Sequence, residues 1–284
     1  TRIKVGVVRG GRIAVVTHFG FIPESWNADD IAGTTWVIAG VNPKPRDDLA
    51  RWSERRGAVV TIIDDHQKLP LFQVTDAPDR VGIDRLLGAV AANRLRRPVA
   101  AAMTVDSGTA TTINCITTSG TFCGGFILPG LRLMASSLQA GTAQLPEIDF
   151  DGRRDFPGAN TDDAIRGGII AATCGAIRRA LVAMKRHEDE VDLFVTGGAA
   201  IHLMEDLAEF APRFVPNLVL EGLLLHERRR QTSKRMLKRS EPTEAGPRLD
   251  AEASRCLRIQ TLAVCQPEAQ CPPNRLLRAA TGST

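Results

Sequence analysis

The segment Asp106–Thr112 reads D-S-G-T-A-T-T and lies between an apolar run and a Thr/Ile-rich run. An acid at the end of a strand, followed by glycine and hydroxyl residues, makes a tight turn. The amides and hydroxyls of such a turn can contact phosphate oxygens, and the Asp106 carboxylate can hold a cation close to them. An ordinary β-turn with threonines suited to a strand accounts for the same residues, so both interpretations stay open.

Asp84 and Arg85 form a second candidate site in the first turn of a predicted helix, directly after Gly82-Ile83. An acid at this place is often only a favourable charge beside the positive end of the helix dipole. In the functional alternative, the Asp84 carboxylate accepts a hydroxyl proton and Arg85 binds an anionic substrate through two hydrogen bonds.

Two further segments with glycine are weaker candidates. Thr196–Ala199 reads T-G-G-A between a predicted strand and a predicted helix, where glycines let the backbone approach a nucleotide. Many α/β turns contain two glycines, so this pattern is not specific by itself. In Gly158–Thr161, Asn160 or Thr161 caps the following helix, and a ligand contact of Thr161 would be an addition to capping.

The hydrophobic pattern predicts the elements that position these segments. Two β-rich runs, 3–8 and 13–19, flank Arg9–Arg12 and form a predicted hairpin. Apolar stripes at helical spacing predict helices over 83–97, 131–140 and 161–184. Further strands are predicted over 36–39, 59–63, 101–105, 110–117 and 191–196. The glycines at 120, 124 and 125 are interpreted as a break between elements.

A hairpin and strands that then alternate with helices occur twice, which indicates a two-lobed α/β protein. The predicted lobes are 1–99 and 100–228. From residue 229 onward the periodicity fails and Arg, Pro, Ser and Glu dominate, so 229–284 is predicted to be a disordered, basic tail.

The net charge of +4 arises in this tail, which holds eleven Lys/Arg against five Asp/Glu. The remainder is slightly acidic and is not expected to bind nucleic acid. No uninterrupted apolar run approaches the roughly 18–20 residues that span a bilayer, and we recognise no signal peptide. The six cysteines lack a paired C-x-x-C spacing, so we expect reduced thiols without a metal, in a cytoplasmic protein.

The order and spacing of the motifs resemble the type III pantothenate kinases. In chain order they are G-I-D-R, D-S-G-T-A-T-T, G-G-F-I-L-P-G, T-A-Q-L-P, N-T and T-G-G-A, and the resemblance extends from Thr1 to about Leu225. It implies the duplicated two-lobe fold of acetate and sugar kinases, Hsp70 and actin, a ribonuclease H-like α/β fold. It also implies ATP-dependent phosphorylation of pantothenate to 4′-phosphopantothenate, the first step of coenzyme A biosynthesis.

The resemblance implies a role for each matching position. Asp84 matches the catalytic proton acceptor, which takes the proton of the pantothenate hydroxyl. The matching pantothenate contacts are Gly82, Ile83, Asp84, Arg85 and Thr161. The matching ATP contacts are Thr1, Arg2, Ile3, Lys4 and Thr109. Asp106 matches the ligand of a monovalent cation, potassium or ammonium, while Mg²⁺ accompanies ATP, and the family implies a homodimer with pantothenate near the subunit interface.

The sequence departs from the family pattern in several places. The family opens with an Asp-x-Gly-Asn-Thr loop, of which Thr1 matches the last residue, so the loop's acid would lie upstream. We therefore expect this polypeptide to be inactive or severely impaired and its full-length parent to be active. Asn114 stands where the family often has aspartate, and Thr75 lies nearest to a tyrosine that often precedes G-x-D-R. The basic tail is an addition to the family pattern.

Two other functions compete with the pantothenate kinase. The first is a non-catalytic relative that acts as a transcriptional accessory factor or binds a partner through the basic tail. The presence of Asp84, Arg85 and Asp106 argues against it, and a salt-sensitive affinity for DNA that depends on the tail would support it. The second is another sugar- or acetate-type kinase, which does not explain the G-x-D-R and P-G motifs together.

Overall fold

The computed structural model describes residues 2–19, 31–240 and 260–266. The strands are β1 (Arg2–Arg9), β2 (Arg12–Phe19), β3 (Thr35–Gly40), β4 (Val59–Ile63), β5 (Phe72–Gln73), β6 (Ala101–Ser107), β7 (Ala110–Ile116), β8 (Thr121–Pro129), β9 (Val191–Thr196), β10 (Arg213–Phe214) and β11 (Gln260–Gln266). The helices are α1 (Pro43–Glu54), α2 (Ile83–Leu95), α3 (Leu131–Gly141), α4 (Thr161–Met184) and α5 (Leu218–Ser240).

The strands form two sheets, which define two lobes. The sheet of lobe 1 has the order β2-β1-β11-β3-β4, and the sheet of lobe 2 has the order β10-β9-β6-β7-β8-β5. In each sheet a central strand, β11 or β6, pairs antiparallel with a hairpin strand on one side and parallel with a neighbour on the other. This repetition is the duplicated two-lobe arrangement expected from the sequence.

The helices α2 and α5 pack together and share one apolar core with residues from both sheets. This core includes Val37 and Ala39 from lobe 1 and Ala102 and Phe194 from lobe 2. The two helices approach closely at Gly222, where a Cβ atom would collide with the backbone of Leu87. A layer of two helices therefore joins the inward faces of the sheets.

Each sheet also has an outward core on its other face. In lobe 1, Ile3, Val5 and Ile38 pack with Leu49 and Trp52 of α1. In lobe 2, the outward core combines β6, β7 and β9 with α3 and α4. Since side chains alternate between the faces of a strand, α2 and α4 lie on opposite faces of the lobe 2 sheet.

The predicted hairpin, the strands and the helices over 83–97, 131–140 and 161–184 are confirmed with small changes at their ends. Two predictions are wrong. The glycine-rich break is part of the nine-residue strand β8, in which Gly124 and Gly125 have positive φ and β7 and β8 shift register. The segment after Gly198 forms only a short 3₁₀ turn, Ala200–His202.

The structure also differs from the prediction for the basic tail. The helix α5 continues through Arg230, which binds the buried carboxylate of Glu227, and ends at Ser240. Residues 260–266 form β11, the central strand of lobe 1. The parts of the predicted tail at 241–259 and 267–284 lie outside the described residues.

In the described part of the chain, α4 is long and apolar enough to cross a membrane by length and composition, with a mean hydropathy of 1.3. Its buried side chains, among them Ile169, Ile177 and Leu181, belong to the outward core of lobe 2. Packing inside the fold accounts for the apolar composition of this helix.

Candidate active site

Asp84 lies in the first turn of α2, where its Oδ1 accepts a hydrogen bond of 2.8 Å from the Arg85 backbone amide. A Cβ atom at Gly82 would stand 2.6 Å from that Oδ1 and 3.2 Å from Val41 Cγ1. Glycine is therefore needed at position 82 to leave room for the carboxylate. Burial raises the pKa of Asp84 above its ordinary value, although the neighbouring Arg85 acts in the opposite direction. A carboxylate with a raised pKa is a stronger base.

Arg85 connects the start of α2 with the lobe 2 sheet. Its Nε donates to Asn114 Oδ1 over 2.6 Å, and its guanidinium lies 5.7 Å from the centre of the Phe122 ring. The Asn114 amide is buried and donates in turn to Thr104 Oγ1 over 3.1 Å. Because Asn114 is neutral, it orients the guanidinium without neutralising it, and Arg85 keeps its charge for an anionic ligand.

Two buried polar atoms lie near Arg85 and Asn114. Gln73 Oε1 and Thr75 Oγ1 are buried without a hydrogen-bond partner among the described residues. Thr75 borders Gly124 of β8, and the neighbouring Gly125 pairs with Asn114. Since unpaired buried polar atoms are uncommon in folded proteins, they mark a place where a ligand can bind.

Asp106 lies at the end of β6, at the turn that the sequence singled out. Gly197 has a φ of +96°, and a Cβ atom there would stand 2.6 Å from Asp106 Oδ1. The amide of Ala199 donates to the Ser107 carbonyl over 3.0 Å, and the amide of Gly130 donates to the Thr109 carbonyl over 2.8 Å. The D-S-G-T, P-G and T-G-G-A motifs are thus packed against one another at the ends of three elements.

Lys4 faces this turn from the other lobe. Strand alternation places it opposite to the outward-facing Ile3 and Val5, and its Nζ donates to the Pro216 carbonyl over 2.5 Å. Burial lowers the pKa of Lys4, while the Asp106 carboxylate acts to raise it. The Lys4 ammonium of lobe 1 and the Asp106 carboxylate of lobe 2 therefore interact electrostatically.

The remaining predicted residues are placed as follows. Ile3 and Ile83 are buried in the cores, so a ligand could reach them only through their backbones. Thr1 and the side chain of Arg2 lie outside the described part of the structure. Thr161 begins α4, whose cap is Asn160, which accepts a bond of 2.9 Å from the Asp163 amide. The helices α4 and α2 lie on opposite faces of the lobe 2 sheet. The core around α4, which begins at Thr161, is therefore separate from the core around α2, which carries Asp84.

Sequence reasoning missed two parts of this site. The electrostatic interaction of Lys4 with Asp106 involves residues about a hundred positions apart, and only strand alternation indicated that Lys4 faces inward. Gln73 carried no signal. The described residues contain no group of three or more His, Cys, Asp or Glu side chains that could hold a metal ion. Among these residues Asp106 is therefore not part of a ligand group of the kind that holds zinc.

Comparison with known proteins identifies the family. A sequence model of the type III pantothenate kinases matches residues 1–183. The chain belongs to the type III pantothenate kinase family. It is 42% identical over 171 residues to the type III pantothenate kinase of Rhodopirellula baltica, an alignment that covers 57% of this chain and 61% of that protein.

The alignment with the enzyme of Oleidesulfovibrio alaskensis is longer, at 33% identity over 227 residues, and covers 78% of this chain and 82% of that protein. The chain thus spans about three fifths of the length of the Rhodopirellula baltica relative and a larger share of this one. A solved structure of a Baf family protein from Campylobacter jejuni, named for transcriptional activation, superposes with a TM-score of 0.54 at 17% identity. It covers 76% of this chain and 92% of that one, and at this identity the likeness shows the fold.

Proposed function

We propose that the protein phosphorylates pantothenate with ATP, as the kinases named among its relatives do. The observation that carries this proposal is the arrangement of Asp84, Arg85 and Asp106 on adjoining elements of a family member. Phosphoryl transfer depends mainly on positioning and on charge neutralisation, and a base, a cationic side chain and a carboxylate beside a tight turn are groups that it uses.

In this proposal Asp84 is the general base. Its carboxylate accepts the proton of the pantothenate hydroxyl while that oxygen forms a bond to the γ-phosphorus of ATP, and the bond from this phosphorus to the β-γ bridging oxygen breaks. The electron pair of the broken bond remains on ADP, and the proton remains on Asp84. The raised pKa of Asp84 supports this role, because it brings the base closer to the working pH.

Arg85 binds the anionic end of pantothenate, with Gly82 and Ile83 contributing backbone contacts. The hydrogen bond from Arg85 to the neutral Asn114 supports this assignment, because no carboxylate on the sheet neutralises the guanidinium there. Gln73 and Thr75 supply buried polar atoms for the amide and hydroxyl groups of the substrate.

The phosphates of ATP are assigned to the cleft between Asp106 and Lys4, with Thr109, Thr1, Arg2 and Ile3 as further contacts. A monovalent cation at Asp106 and Mg²⁺ on ATP supply neutralisation of the phosphate charge when bound. Lys4 contributes a fixed positive charge to the same region. Its position beside Asp106 supports this division of charge between the lobes.

We also propose a homodimer, in which Thr161 of one copy approaches the pantothenate site of the other. The placement of α2 and α4 on opposite faces of one sheet supports this idea. Within one copy it separates the core around α4, which begins at Thr161, from the core around α2, which carries Asp84. Phe126, Ile127 and Val182 are 45%, 63% and 52% exposed near an apolar groove of about 400 Å³ beside β8 and α4. A cytoplasmic location is proposed on the free state of Cys115, Cys123 and Cys174.

The test is release of ADP from ATP with and without pantothenate, in potassium and in sodium. It uses this chain and a second chain with an Asp-x-Gly-Asn-Thr loop restored before Arg2. Turnover that requires pantothenate and potassium supports the assignment. Well-folded protein without pantothenate-dependent turnover in either chain would contradict it, and binding of DNA by that protein would support the transcriptional alternative.

A further inference from the structure

Two cysteine thiols lie together on the face of the lobe 2 sheet that α4 covers. Cys115 of β7 packs against the outward core of this lobe, and Cys115 and Cys123 of β8 line one groove of about 400 Å³ whose other wall is formed by α4 and the residues that follow it. The candidate site lies on the opposite face of the sheet, where Asn114 bonds to Arg85. The two thiols are therefore not part of that site.

The register of β7 and β8 places the thiols opposite each other. The strands pair on both sides of Cys115, and between these pairs one residue of β7 faces two residues of β8, Cys123 and Gly124. This two-against-one count is that of a β-bulge. Opposed residues of antiparallel strands have Cα atoms roughly 4.5–5.5 Å apart, a separation within the range of disulfides.

The two thiols differ in their access to solvent. Cys123 is exposed, and its Sγ donates to the Thr121 carbonyl over 3.6 Å, whereas Cys115 is partly buried. Burial, and to a smaller extent Cys123, raises the pKa of Cys115 to about 11, while burial and then Glu188 raise the pKa of Cys123. Both thiols are therefore protonated at neutral pH, so they react slowly and the pair stays reduced unless an oxidant accumulates.

The bulge adjoins the residue that holds Arg85. Asn114 directly precedes Cys115 and pairs with Gly125 of β8, and on the other face its side chain accepts the 2.6 Å hydrogen bond from Arg85. The strands approach so closely here that a Cβ atom at Gly125 would stand 1.8 Å from the carbonyl oxygen of Ile113. A covalent bond between the strands beside this contact therefore shifts Asn114, and with it the guanidinium of Arg85.

We propose that Cys115 and Cys123 form a thiol modification site, at which oxidation joins β7 to β8 by a disulfide and weakens the binding of pantothenate. The co-reactant is a low-molecular-weight disulfide. The effect on pantothenate rests on the proposed kinase function, whereas formation of the disulfide does not.

The modification consists of two thiol–disulfide exchanges. The thiolate of Cys123 attacks one sulfur of the small disulfide, whose S–S bond breaks, and the thiolate that leaves takes up the proton that Cys123 lost. Cys115 then attacks Cys123 Sγ, and the second small thiol leaves with the proton of Cys115. The two cysteines together lose two electrons and two protons, which reduce the small disulfide to two thiols. An excess of reduced thiol reverses both exchanges.

Peptide mapping of the full chain tests the modification. After incubation with glutathione disulfide, we expect a disulfide between Cys115 and Cys123, which cleavage after Phe122 shows as two linked peptides. In Cys115→Ser, Cys123 is expected to keep a glutathione adduct, because no neighbouring thiol displaces it. In Cys123→Ser, Cys115 is expected to stay largely unmodified. The internal control is Cys174, which is buried in the outward core and is expected to stay unmodified in all three proteins.

Two results of this mapping would overturn the proposal. The first is a disulfide from Cys123 to Cys256, Cys265 or Cys271, or to a second chain, in place of the bond to Cys115. The second is the absence of any adduct on the folded and assembled protein, whether the thiols lie too far apart or a second copy covers the groove.

The effect on the substrate is measured as calorimetric binding of pantothenate to the full chain. Oxidation is expected to weaken this binding by roughly tenfold, because it disturbs a hydrogen bond of the charged Arg85. Dithiothreitol should restore the affinity, and Cys115→Ser and Cys123→Ser should not respond to the oxidant in this way. If mapping shows the disulfide and the affinity is unchanged, the effect on pantothenate is overturned while the modification site stands. If the reduced chain neither binds nor phosphorylates pantothenate, the kinase function fails, and with it the link to pantothenate.

Discussion

The two lobes have the same strand order, yet they contribute differently to the site. In lobe 2 the central strand β6 continues through the Asp106–Thr109 turn into β7, so the acid and the turn are one continuous segment. In lobe 1 the central strand and the hairpin β1-β2 come from opposite ends of the chain. A shared topology therefore does not require a shared chain path, because backbone pairing is satisfied by any strand with the right direction.

The lobes also differ in the charges that they contribute to the candidate site. Asp84 and Arg85 are fixed to lobe 2 through Asn114, and Asp106 ends its central strand. Lobe 1 presents Lys4 among the described residues that face this turn. We therefore expect that proton transfer depends on groups anchored to lobe 2, and that lobe 1 mainly orients the nucleotide.

The largest effect is expected from Asp84→Asn. Loss of the base is expected to lower kcat by roughly 10²–10⁴-fold. The matched control is Asp79→Asn, an exposed acid in the preceding 3₁₀ turn, which should keep nearly full activity. Because burial raises the pKa of Asp84, its charged form is penalised in the folded state at neutral pH, and Asp84→Asn should fold at least as stably. A modest fall in kcat in a well-folded variant would show that Asp84 is not the general base.

Two adjacent glycines test whether lobe 2 depends on the exact position of Asp106. Gly197→Ala places a methyl group against the Asp106 carboxylate at a positive φ, whereas a Cβ atom at Gly198 meets no atom within 4 Å. Displacement of the turn in Gly197→Ala is expected to lower kcat/KM by about 100-fold. Gly198→Ala should remain close to the unaltered protein. Steady-state kinetics and thermal unfolding of both variants separate this effect from loss of the fold.

A smaller effect is expected in lobe 1 from Lys4→Met. The variant loses a positive charge near the phosphates and the bond to Pro216, so kcat/KM for ATP should fall by about tenfold. Lys44→Met, at an exposed ion pair on α1, is the control and should be neutral. If Lys4→Met lowers kcat as severely as Asp84→Asn, the proposed division of labour between the lobes is wrong.

The most gradual effect is the dependence of kcat/KM on pH. The base form of Asp84 is lost as the pH falls through its pKa, which burial raises above the usual 3.8. The acidic limb of kcat/KM should therefore lie above pH 3.8 and follow a single ionisation. Lys4→Met should leave the position of this limb nearly unchanged, because Asp106, and not Asp84, is the acid beside Lys4. If the pH at which kcat/KM falls moves strongly in Lys4→Met, an acid other than Asp84 governs this fall.

Much of the local structure could be predicted from the sequence. The helix over Thr161–Met184 and the buried strands near Ala101 and Val191 follow from apolar periodicity, which is a local property. The strand β8 could not be predicted in this way, because its glycines suggest a break. Inside the sheet, positive φ at Gly124 and Gly125 instead permits a register shift beside Asn114.

By itself, the sequence determined the family motifs, the two-lobed α/β class and the candidate residues Asp84, Arg85 and Asp106. Tertiary structure alone decided that Lys4 faces Asp106, that Asn114 holds Arg85, and that residues 260–266 form the centre of lobe 1. The physical reason is that propensity and periodicity act over a few neighbouring residues. The pairing of strands and charges between distant segments depends instead on which unpaired backbone groups and buried charges remain once the lobes have packed.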